Sequence, residues 1–117
     1  PEYPRPLTEE EKGWLREALA LLPTGEYMAR SRWRDPILGG TMPLDLPIDP
    51  GPYLAQIDEL VVTSRCDCGD PRCHTVTFQH FRQGKSVALV HTTTGDGRQL
   101  IVFVDADTRM LSELEVI

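Results

Sequence analysis

The sequence predicts an α+β fold, an N-terminal amphipathic helix packed on a four- to five-stranded antiparallel β-meander, in one domain over residues 1–117. Three observations carry that prediction. A capping-box pattern at Thr8-Glu9-Glu10-Glu11 opens an apolar stripe of helical period. From Ile57 onward, short runs rich in β-branched residues alternate with turn residues. The chain has 117 residues, 40% hydrophobic and 26% charged, which suits one globular domain. A chain of this length buries roughly two-thirds of the surface it exposes when unfolded, so folding requires neither metal nor disulfide.

The helix is expected over about 8–22. The Thr8 hydroxyl can accept from the Glu11 N–H while the Glu11 carboxylate reaches back, and three acidic residues favour the positive end of the helix dipole. Trp14, Leu15, Ala18, Leu19 and Leu22 form the buried stripe, and Pro23 and Gly25 end it. Residues 26–36 place Arg30, Arg32 and Arg34 in alternation with Ser31 and Trp33, as a short strand or irregular segment. Residues 36–53 are too rich in proline for a central strand or helix interior, yet they carry Ile37, Met42, Leu44, Leu46 and Ile48. They read as a packed loop covering part of the sheet. The meander is expected over about 56–117, from the runs 56–65, 74–81, 86–94, 98–106 and 110–117. A QGK turn and Gly95-Asp96-Gly97 separate three of them. The last run, MLSELEVI, is expected at an exposed edge, where it could pair with a second copy and make a homodimer.

The net charge is -6, which suits solubility and opposes nucleic acid or an anionic membrane as the main partner. The apolar runs at 18–22 and 100–104 are far shorter than the roughly 18 residues needed to cross a bilayer. The start, PEYPRPLTEEE, is acidic and proline-rich, unlike a secretory signal. The three cysteines lie within eight residues, whereas a secreted disulfide framework is normally even and dispersed. The cytoplasm is the expected compartment.

All three cysteines sit in RCDCGDPRCHTVTF, residues 65–78, on the connection between the first two expected strands. A tight turn brings thiolates together without help from the core. The spacing is C-x-C-x4-C-H, and Gly69 and Pro71 supply the bend. Cys66, Cys68, Cys73 and His74 would give zinc three sulfurs and a nitrogen; His80 and His91 are the other candidates for the fourth place. Adjacent side chains on an extended strand point to opposite faces, so Cys73 and His74 can share a metal only if the strand starts after them. The same residues also fit three reduced cysteines used as small apolar groups, or a redox switch with Arg65 and Arg72 lowering a thiol pKa.

No catalytic residues are assigned. No G-x-S-x-G, H-E-x-x-H, dinucleotide fingerprint or P-loop occurs, and Asp105 with Asp107 fits a turn as well as a cation site. The Arg30, Arg32, Trp33 and Arg34 patch could clamp a carboxylate on a partner protein, or be a solvated face around a buried Trp.

The stretch from Arg65 to Phe78, with VFVDADTRMLSELEV at 102–116, resembles small bacterial proteins that carry a C-x-C-rich strand junction and a closing L-S-x-L-E segment. Those proteins have no established activity, and here the third cysteine stands further from the first two than in that pattern. The expected function is a non-enzymatic interaction or adaptor protein, with a structural zinc at the cysteine hairpin. The alternative is a small metal-dependent or thiol-based enzyme acting at the Cys66–His74 loop.

Overall fold

The computed structural model describes residues 3–20, 50–70 and 72–117. Arg30, Arg32, Trp33, Arg34 and most of the proline-rich loop lie outside the described residues.

Helix α1 spans Glu9–Leu19 with Thr8 as its N-cap. The capping box is formed: the Glu11 N–H donates to Thr8 Oγ1 at 3.1 Å, and the Thr8 N–H donates to Glu11 Oε1 at 2.9 Å. Leu15, Ala18 and Leu19 are fully buried against β-strand residues Leu100, Val102 and Val104, with Trp14 partly buried beside them. Full burial of a leucine contributes roughly 1.5–3 kcal/mol, so this face fixes where the helix sits.

The run expected to start the sheet at 56 opens instead as helix. A four-residue turn, α2 (Gly51–Leu54), has proline in its first turn, where the missing N–H costs nothing. A 3₁₀ turn follows at Ile57–Glu59, burying Ile57. The strands are β1 (Arg5–Pro6), β2 (Val61–Arg65), β3 (Val76–Phe78), β4 (Ser86–Thr93), β5 (Gln99–Asp105) and β6 (Leu111–Val116). All pair antiparallel, in the order β1-β2-β3-β6-β5-β4. The class is α+β as expected, but with six strands rather than four or five. The additional strand, β1, comes from the proline-rich start and pairs with β2 at the sheet margin, where proline's missing donor is tolerated.

The order is not a plain meander. β4, β5 and β6 are hairpin neighbours, but β6 then pairs with β3, so the 79–85 connection carries the chain from β3 past two strands to β4. This is a Greek key. It corrects the expectation for the last strand: MLSELEVI lies between β5 and β3, not at an edge, so it offers no free side to a second copy. Alternation along β5 puts Leu100, Val102 and Val104 in the main core and Ile101 and Phe103 with Ala88 in a small buried cluster on the opposite face. A register shift between Ala88 and Val90 lets Leu89 and Val90 both enter the main core. Among the described residues no helix is long and apolar enough to cross a membrane.

Candidate metal centre

The cysteine loop joins β2 to β3 and is tied down at its mouth. The Cys66 N–H donates to the Thr75 carbonyl at 2.8 Å, one step beyond the β2–β3 ladder. The His74 N–H donates to the Val116 carbonyl at 2.8 Å, which pins the returning leg to β6. Within the loop, Asp70 Oδ1 accepts from the Arg72 N–H at 2.9 Å and the Asp70 carbonyl accepts from the Cys73 N–H at 3.1 Å. Gly69 makes the bend at φ 84°, a left-handed conformation that a Cβ would strain.

This path brings Cys66, Cys68 and Cys73 together, with their sulfurs all within 4.8 Å of one another. Thiolates on one tetrahedral zinc at about 2.3 Å stand about 3.8 Å apart, so the three sulfurs are close to the spacing of three of its four ligands. Cys66 and Cys68 are exposed and Cys73 is half-buried, its thiol 3.6 Å from Thr75 Oγ1. Two backbone donors face the sulfurs. The Cys68 N–H pulls the Cys66 thiol down, but the neighbouring thiols of Cys68 and Cys73 outweigh it and the Cys66 pKa is raised. The Asp70 N–H, followed by the thiols of Cys66 and Cys73, lowers the Cys68 pKa. Such N–H donors offset charge on clustered thiolates.

His74 is engaged elsewhere. Its Nε2 lies 2.7 Å from Glu11 Oε2, and its ring meets Trp14 edge-on with centroids 5.1 Å apart. Glu11 is fully buried and forks with Arg5, Oε1 to Nη1 and Oε2 to Nη2, both at 2.9 Å. Burial alone would raise the Glu11 pKa; hydrogen bonds from Arg5, His74 and the Thr8 N–H more than offset it and bring it to about 2. An ionised carboxylate only accepts, so Nε2 of His74 carries the proton. Trp14 also lies under the Arg98 guanidinium, 5.6 Å from its ring centroid.

Among the described residues, no histidine nitrogen or carboxylate oxygen joins the three sulfurs. His80 follows the end of β3, and His91 lies in β4, separated from β3 by β6 and β5. The Asp105–Asp107 turn is a closed ion-pair site. Arg82 forks onto Asp105 at 2.6 and 2.8 Å and reaches Asp107 at 2.9 Å, and it holds the Asp105 carboxyl well below the usual range. Sequence reasoning identified Glu11 as a cap but missed it as the buried partner of Arg5 and His74. The capping box was its only local signal. No family model, curated protein or solved structure matches the chain.

Proposed function

We propose that this protein is a small non-enzymatic interaction or adaptor module whose β2–β3 connection is locked by a soft metal ion, zinc above all, on Cys66, Cys68 and Cys73. The observation that carries this reading is the convergence of three sulfurs within 4.8 Å on an anchored loop. Thiolates select zinc over hard cations, and zinc imposes no redox chemistry. The bound ion would cross-link the two ends of the 66–73 loop and hold an exposed surface in one shape. A non-enzymatic role is favoured by how the buried acids are used: Glu11 is saturated by Arg5, Thr8 and His74, and Asp105 is forked by Arg82. Neither stands beside the sulfurs as a general base.

The test is metal content and thiol titration on protein purified without chelator. About one zinc per chain, with thiols reactive only after chelation, is the expected result. Metal-free protein with three freely titrating cysteines would overturn it. The downward shift of the Cys68 pKa, caused first by the Asp70 N–H, is the observation that favours the thiol-enzyme alternative. That alternative requires metal-free Cys68 to alkylate at neutral pH much faster than Cys66 and Cys73.

A further inference from the structure

A tetrahedral zinc takes four ligands, and the sulfur cluster supplies three. The chain has three cysteines and three histidines, and every one of them lies among the described residues. The cysteines are already in the cluster. His74 is pinned by Glu11 and Trp14, and a shift towards the sulfurs would strip a hydrogen bond from a fully buried carboxylate. His80 and His91 stay outside the group. Among the described residues, therefore, no fourth cysteine sulfur and no histidine nitrogen joins the centre.

We infer that the fourth position of the Cys66–Cys68–Cys73 centre is open at the surface and takes a thiolate from another molecule, so that the ion is shared with a thiol partner. The inference rests on the metal reading above. Cys66 and Cys68 are exposed, so an ion held there lies where a second molecule can reach it. Three thiolates on Zn²⁺ leave one net negative charge, and a fourth adds another. Exposed Arg65 and Arg72 flank the loop and oppose that build-up. In the exchange, the incoming thiol displaces a bound water and gives its proton to solvent, leaving the thiolate on the metal. No oxidant or reductant is involved.

The experiment is anaerobic loading of the full chain with Co²⁺, followed by optical titration with glutathione, with a short single-cysteine peptide, and with the serine version of that peptide. The sulfur-to-cobalt charge-transfer band should gain about one-third as thiolates rise from three to four. The serine peptide should leave it unchanged. His74→Gln, which can still donate to Glu11, should respond as the parent does. A stronger response to the peptide than to glutathione assigns the source to a protein cysteine, and an equal response assigns it to any accessible thiol; both support the inference. A band that no thiol alters, or a thiol response lost in His74→Gln, would overturn it while leaving the metal site standing. Failure to bind Co²⁺ or Zn²⁺ at all would overturn the metal reading itself.

Discussion

Cys73 and His74 are neighbours in the chain but belong to regions of opposite character. The Cys66–Cys68–Cys73 cluster is largely exposed, and its three sulfurs face one another with a few backbone donors. The Arg5–Glu11–His74 network is built around a carboxylate with no exposure, which accepts from Arg5 twice, from the Thr8 N–H and from His74. The buried region has spent its hydrogen-bonding capacity internally, so it contributes stability and places the loop. The exposed region has capacity left over, so it is the part able to bind. Both residues precede β3, which begins at Val76, so it is the contact of His74 with Glu11 and Trp14, not strand alternation, that separates them.

Replacing Glu11 should break the buried side most severely. Glu11→Ala removes the cap partner and leaves Arg5 and His74 without their shared acceptor. Losing one partner of a buried charge network costs on the order of 3–5 kcal/mol, to be read from urea unfolding. Glu11→Gln should cost less, and either variant should retain metal while folded.

Acid should act on the same region with slightly smaller effect. The Glu11 pKa is held at about 2 against 4.5 for the free group. A depressed pKa contributes stability that is complete above the unfolded value and disappears as pH falls from about 4.5 towards 2. The shift corresponds to about 3 kcal/mol. Unfolding free energy measured across that window should fall steeply in the parent and less in Glu11→Gln, with the remaining slope coming from Asp105, whose pKa is depressed by Arg82.

His74→Ala should cost less again, about 1–3 kcal/mol, because it removes one of four hydrogen bonds to the buried carboxylate. Metal stoichiometry should not change. Gly69→Ala probes the exposed side and should have the smallest effect on folding. A Cβ there meets nothing within 4 Å, so the cost is only the strain of φ 84°, about 1 kcal/mol. It should fall on metal affinity, measured by chelator competition, more than on the unfolding midpoint.

Local patterns in the sequence made much of this architecture legible. Thr8 and Glu11 located the helix start, and Leu15, Ala18 and Leu19 its buried face. β4, β5 and β6 fall inside the runs expected for them. The C-x-C-x4-C spacing singled out the three residues whose sulfurs converge. Strand order was not legible, because a period of two tells which face a residue occupies and not which strand lies beside it. The insertion of β6 between β3 and β5 depends on a non-local pairing, Val76 with Leu114, that no local pattern encodes. The partner of His74 was hidden for the same reason, since Glu11 lies 63 residues away. The start of the 56–65 run differs from the expected strand because Ile57 suits a strand by propensity but serves here as a buried anchor of a 3₁₀ turn.

The most direct measurement follows thiol release and structure together. Zinc-loaded protein, as the parent and as His74→Gln, is titrated with chelator while a thiol reagent, far-UV circular dichroism and tryptophan fluorescence are recorded. The expected result is three thiols shielded before chelation and released after it in both proteins, with the sheet intact in both and the Trp14–His74 contact intact in the parent. Loss of zinc in His74→Gln, or collapse of the sheet as the thiols appear, would contradict the separation of the two regions.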